Sequence, residues 1–305
     1  MTKPKPSNVA HSVRARLLTL SKERREEFQF VLTRYALERL LYRLSRSTHR
    51  DGFVLKGAMM FAVWSGHPHR ATKDLDLLGS GSPDLDRLAN VFREVVTVGV
   101  EDDGLVFDGT TVVAVRIKED ADYEGVRITL DAKLGTAKVG VQIDIGFGDA
   151  VTPSAVEVAY PSLLDLPRPS LRAYPRETVV AEKLQAMVHL GLLNSRMKGF
   201  FDLWFLATHF EFDGELLVRA VKATFERRGT PLPTEPPVAL TSTFSGDTSK
   251  QKQWTAFLRR SGVGSFDLTL TTVVEGLAEF LLPVLLDLEP HRGPGRRWRA
   301  GGPWG

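Results

Sequence analysis

A chain of 305 residues that is 43% hydrophobic can bury a sizeable core, which predicts an ordinary soluble globular protein of one large or two modest domains. The absence of cysteine excludes disulfides, thiolate metal sites and a thiol nucleophile, so a bound metal must take oxygen or histidine ligands. A net charge of +3 with an isoelectric point of about 9 is compatible with a polyanionic partner such as nucleic acid.

The chain opens on polar Met1-Thr-Lys-Pro-Lys-Pro with no signal-like apolar stretch behind it, which predicts a cytoplasmic protein without a membrane anchor. From Val9 to Ser47, Phe28, Leu32, Tyr35, Leu40 and Leu44 recur at helical spacing, predicting one or two amphipathic helices that buttress a sheet. Arg14, Arg16, Lys22, Arg24 and Arg25 make this region basic, as a phosphate-binding face or as a solvated terminus. Phe53-Val-Leu reads as a strand, Lys56-Gly57-Ala58 as a turn and Met59 to Trp64 as a helix, before the breaker-rich Ser65-Gly-His-Pro-His. Asp74-Leu-Asp-Leu-Leu reads as a strand and Pro83 to Val96 as a helix. Thr111 to Ile117, Val126 to Leu130 and Val139 to Phe147, with alternation or β-branched enrichment, read as neighbouring strands. Helices are expected from Pro175 to about Leu193, Gly199 to His209, Gly214 to Arg228 and Leu268 to Leu288, with a long loop at 229–249. The apolar stretch from Gly276 to Leu288 contains Glu279 and Pro283 and is too short to span a bilayer.

The fold class expected is α/β (α+β), a mixed sheet with flanking helices followed by a mostly helical region, because no regular strand-helix alternation runs through the first half. The divisions are residues 1–166 for the sheet domain with its N-terminal helices, 167–290 for the helical domain and 291–305 for a disordered basic tail carrying Arg292, Arg296, Arg297 and Arg299.

Asp74 and Asp76 are separated by one residue in an expected strand, so both carboxylates project from one face while Leu75 and Leu77 point to the other. Asp-x-Asp recurs at Asp84-Leu-Asp86 and Asp120-Ala-Asp122, which read as helix-start and loop charges. What distinguishes the first pair is its setting between apolar residues, downstream of the Lys56-Gly57-Ala58 turn. In Val139-Gly-Val-Gln-Ile-Asp-Ile, alternation puts Ile143 and Ile145 on one face and Gln142 and Asp144 on the other. A carboxylate centred in an apolar strand needs a cation, so Asp144 is either a metal ligand or the partner of Arg127. Lys183 has Val179, Val180, Ala186 and Met187 as helical neighbours, and on that buried face it must meet an anion. Either a triphosphate or Asp202, which itself precedes Phe205 and Leu206, would serve. Arg70, Thr72 and Lys73, just before the carboxylates, are surface charge or contacts to phosphate or an RNA backbone. His67 and His69 lack a third spaced ligand, so no zinc site is expected.

Lys56-Gly57-Ala58, then Asp74-Leu-Asp76, then Asp144 on a later strand resembles the signature of the DNA polymerase β-like nucleotidyltransferase superfamily. Ala181-Glu-Lys183-Leu and Arg196-Met-Lys198-Gly-Phe-Phe-Asp202 resemble the third and fourth motifs of the AbiEii/AbiGii toxin family, which includes the MenT toxins of mycobacteria. The chain departs from the family pattern at Ala58, where a Gly or Ser is usual, and at Gly199, where an acidic residue commonly follows the motif Lys.

The resemblance implies a toxin-type nucleotidyltransferase that moves NMP from an NTP to RNA, most commonly the 3′ end of tRNA, and so blocks translation. It implies a two-metal site for Mg2+ (or Mn2+) with Asp74, Asp76 and Asp144 as ligands, catalysis by these three with Lys183 and Asp202, and nucleotide binding by Lys56, Gly57, Ala58 and Lys183. Arg70, Lys73, Arg196 and Lys198 are placed as RNA contacts. A cognate AbiEi-like antitoxin is the implied protein partner, and transfer to a protein or small molecule, or silent nucleotide or RNA binding, are the alternatives.

Overall fold

The computed structural model describes residues 9–66, 70, 72–120, 123–261, 267–286 and 296–305, and divides the chain into two compact units. The first holds residues up to Gly148 together with Glu157–Ala173; the second holds Asp149–Val156 and the chain from Tyr174 onward.

In the first unit, helices α1 (Val9–Arg24) and α2 (Phe28–Arg46) precede strand β1 (Phe53–Lys56), α3 (Met60–Ser65), β2 (Leu75–Gly79) and α4 (Leu85–Val96). Strands β3 (Leu105–Asp120), β4 (Tyr123–Leu134), β5 (Ala137–Phe147), β6 (Val156–Ala159) and β7 (Ser170–Ala173) complete a seven-stranded sheet of order β3-β4-β5-β2-β1-β7-β6. The sheet is mixed: β2 runs parallel to β5 and β1 to β7, whereas β1/β2, β3/β4 and β4/β5 are antiparallel.

The N-terminal amphipathic stretch breaks at Arg25, whose φ of 53° is left-handed and ends α1. Val13 and Leu17 of α1, the Val31–Leu44 face of α2, and Leu88, Phe92 and Val95 of α4 share one core with the inward residues of the sheet. Across the middle of the sheet, Leu55, Leu77, Ile145 and Val126 are register partners and all fully buried, an apolar row next to the one that carries the charges. A buried ion pair fastens α2 beneath this core: Arg43 donates to both oxygens of Asp103 at 2.6 and 3.1 Å, while the Tyr35 hydroxyl donates to the Asp103 carbonyl. Asp84 caps α4 by accepting from the Arg87 amide at 2.7 Å, so this Asp-x-Asp pair serves a helix start.

The second unit contains α5 (Arg176–Leu190), α6 (Met197–His209), β8 (Phe212–Asp213), α7 (Gly214–Arg227), α8 (Ser242–Ser245), α9 (Thr248–Ser261), α10 (Leu270–Leu286) and β9 (Arg297–Trp298). The expected domain divisions differ in two features, and the segment expected as a loop at 229–249 contains α8. The boundary falls after Ala173 rather than at residue 166, because β7 pairs with β1 and extends the sheet. The last ten residues are not a disordered tail: β9 pairs with β8, and Trp298 is buried against Phe280 while its indole N–H donates to the Ala207 carbonyl at 2.6 Å. Arg292 lies outside the described residues. No helix among the described residues is long and apolar enough to cross a membrane.

Candidate active site

The pairing register lines up a single charged row on the face of the sheet opposite the core. Lys56 of β1 stands across from Asp76 of β2, Asp76 from Asp144 of β5, and Asp144 from Arg127 of β4. Directly opposed residues in neighbouring strands project to the same side, so the order along the row is cation, carboxylate, carboxylate, cation. Asp74 joins from the residue just before β2, and the Thr72 hydroxyl orients it by donating to Oδ1 at 2.8 Å.

One carboxylate oxygen from each of Asp74, Asp76 and Asp144 lies within 4.8 Å of the others. Three like charges this close repel, so nearby positive charge or hydrogen-bond donors stabilise the cluster. Arg127 supplies both: its Nε and Nη2 donate to the two oxygens of Asp144 at 2.8 Å each, in the planar fork-to-fork arrangement. The amide of Gln142 also faces Asp144, at 3.3 and 3.2 Å. The guanidinium is held protonated above its ordinary range, first by the hydrogen bond to Asp144 and further by the charges of Asp144, Asp74 and Asp76. Of the two partners that sequence allows for Asp144, Arg127 is therefore present, and it leaves Asp144 in the cluster.

The turn after β1 is shaped around the same carboxylates. Gly57 has φ of +73°, and a Cβ at this position would lie 1.9 Å from Oδ2 of Asp76. Glycine is thus required twice here, for its backbone conformation and for the space that the carboxylate fills. Ala58 is buried in the middle of the 3-10 turn Gly57–Met59 that leads into α3, and its side chain offers no hydroxyl there.

The donor set suits a hard divalent cation. Magnesium and manganese take oxygen ligands, magnesium at about 2.0–2.1 Å, and paired ions in such centres sit about 3.5–4 Å apart. Three converging carboxylates, with oxygens within 4.8 Å of one another, could supply such oxygen ligands.

In the helical unit, Lys183 of α5 donates to Oδ2 of Asp202 of α6 at 2.9 Å, with the aspartate fully buried and the lysine side chain 22% exposed. This pair joins two helices, with the lysine side chain partly exposed. The same region of α5 is braced by groups that sequence reading did not single out. Arg228 donates to Gln185 at 2.8 Å and to Asp149 at 3.3 Å, and the Tyr174 hydroxyl donates to Asp149 at 3.2 Å. These partners are far apart in the chain and unmarked by any periodicity, so only tertiary packing reveals them.

The residues expected to contact RNA are divided between the two units. Lys73 is exposed in the sheet unit, its ammonium 5.2 Å from the centre of the Phe30 ring, and Arg70 lies in the same unit. Arg196 and Lys198 are exposed at the start of α6 in the helical unit. His67, His69 and Asp122 lie outside the described residues.

Two crystal structures from Helicobacter pylori are similar. One is of JHP933, 15% identical with a TM-score of 0.47, the alignment covering 82% of this chain and 90% of that one. The other is described as a "putative nucleotidyltransferase", 17% identical with a TM-score of 0.46, covering 82% and 92% respectively. No curated protein matches the chain. Residues 39–276 match the family model described as "Nucleotidyl transferase AbiEii toxin, Type IV TA system", a span that includes the carboxylate cluster, the Gly57 turn and the Lys183–Asp202 pair. The chain belongs to the AbiEii family of nucleotidyltransferase toxins of type IV toxin–antitoxin systems.

Proposed function

We propose that this toxin transfers a nucleoside monophosphate from an NTP to the 3′ end of RNA, with tRNA as the acceptor, and thereby blocks translation in the cytoplasm until a cognate AbiEi-like antitoxin restrains it. The observation that carries the reading is the convergence of Asp74, Asp76 and Asp144 within 4.8 Å beside a glycine turn that admits the Asp76 carboxylate.

Asp74, Asp76 and Asp144 would hold Mg2+, or Mn2+, whose charge would neutralise the triphosphate and lower the pKa of the attacking hydroxyl. Asp144 would complete the second metal position and help activate the acceptor hydroxyl. Lys56 and the backbone N–H groups after Gly57 bind phosphate oxygens, an interaction that needs no side chain at Ala58. Lys183 binds the triphosphate, and Asp202 keeps its ammonium oriented. As the acceptor oxygen bonds to the α-phosphorus, the bond from that phosphorus to the bridging oxygen breaks and pyrophosphate leaves in line. Arg70, Lys73, Arg196 and Lys198 contribute RNA backbone contacts, which supply affinity without reading sequence.

The test is transfer of α-labelled NTPs, each in turn, to total tRNA that is intact or periodate-oxidised at its 3′ ends. The expected result is label on intact tRNA and none on the oxidised pool. Label that appears instead on protein or on small molecules would move the acceptor to those classes. Nucleotide binding without pyrophosphate release would leave a silent binding module.

A further inference from the structure

The charged row raises a question that the metal-site reading leaves open, namely why a guanidinium occupies both oxygens of one of its three carboxylates. An ionised carboxylate has about four lone-pair positions, two on each oxygen. The bidentate contact from Arg127 Nε and Nη2 takes one on each oxygen and fixes the plane of the group, so the remaining lone pairs of Asp144 have a set direction. The Arg127 side chain is 37% exposed and that of Asp144 only 11%, which makes Arg127 a lid on the carboxylate rather than a buried structural pair. Charge tells the same story. Asp74, Asp76 and Asp144 carry three negative charges, Lys56 and Arg127 two positive ones, so the row with Asp74 has a net charge of −1; without Arg127 it would be −2.

We propose that Arg127 is a positioning residue of the active site, which holds the Asp144 carboxylate in its ligand orientation and, by its own charge, keeps the triad's affinity for a free divalent cation low. This inference rests on the reading of the triad as the metal site. Its consequence is that the cluster fills fully only when the nucleotide brings further negative charge to it. A triad of three uncompensated carboxylates would instead bind the cation on its own, and the ordering between nucleotide and cation would be lost.

The experiment measures Mn2+ binding to the full chain without nucleotide, from the electron paramagnetic resonance signal of the free ion. Wild type is compared with Arg127→Met, Arg127→Lys and the double variant Asp74→Asn, Asp76→Asn. Arg127→Met is expected to bind Mn2+ roughly fivefold more tightly, the scale of removing one unit charge several ångströms away in a partly solvated site. It is also expected to transfer nucleotide about 10- to 100-fold more slowly at saturating metal, as loss of a group that orients a ligand does. Arg127→Lys retains the charge without the fork, so its Mn2+ affinity stays near wild type while its transfer rate remains low. Should Arg127→Met show unchanged or weaker affinity for Mn2+, the proposal is overturned, with the metal site left standing. Equal Mn2+ binding by wild type and the Asp74, Asp76 double variant would remove the metal-site reading itself and this inference with it. Arg127→Lys keeps the measurement available if Arg127→Met does not fold.

Discussion

Gly57 and Asp76 show how closely single residues are matched in this site. The glycine sits at φ of +73°, in a region that costs an L-residue about 1–2 kcal/mol, and the Asp76 oxygen occupies the space where its side chain would go. Gly57→Ala is therefore expected to lower stability by at least that amount in chemical denaturation and to abolish transfer, since the displaced carboxylate can no longer converge with Asp74 and Asp144. A Gly57→Ala protein with wild-type transfer would contradict this placement. Removing the carboxylates has the opposite signature. Asp74→Ala with Asp76→Ala should reduce transfer by about a thousandfold or more while leaving the melting temperature unchanged or raised, because repulsion inside the cluster is relieved. A large fall in melting temperature would mark these groups as structural.

At the scale of elements, the Lys183–Asp202 pair separates a structural role from a functional one. Lys183→Met strands a fully buried carboxylate and is expected to cost on the order of 2–4 kcal/mol, below the range for wholly buried pairs because Lys183 is 22% exposed. The double variant Lys183→Met, Asp202→Leu should recover most of that stability in urea denaturation yet remain inactive if the ammonium serves the triphosphate. Recovery of activity along with stability would reduce the pair to a helix clamp. The C-terminal packing gives a further expectation: Trp298→Ala, which empties a site against Phe280 and loses a bond to Ala207, should destabilise the protein by about 3–5 kcal/mol in the same measurement.

The elements that sequence revealed are those with a long periodic signal, such as α2, α4 and β5, and the carboxylate pair is readable because alternation alone fixes which side chains share a face. What escaped has a physical reason in each case. Strands β6 and β7 are four residues long and mix Glu157 and Arg172 into their faces, so they lack an apolar run. Helix α9 buries only Lys250, Trp254 and Leu258, a stripe too thin to stand out beside a segment rich in proline, threonine and serine. Trp298 is ordered by aromatic partners from α10 and β8, which no local pattern announces. In the site, Asp144 could be placed by alternation, whereas its bidentate grip by Arg127 depends on the register between β4 and β5.

For the molecule as a whole, the candidate groups are divided between two compact units, the carboxylate cluster in one and the lysine–aspartate pair in the other, and the family match spans both. Metal-dependent nucleotidyl transfer at Asp74, Asp76 and Asp144 is tested by pyrophosphate release from each NTP in the presence of tRNA, with Mg2+, with Mn2+ and with excess chelator, in wild type beside the Asp74→Ala, Asp76→Ala variant. Release that requires both the cation and the two carboxylates is expected. Release that persists in the variant, or in chelator, would contradict it.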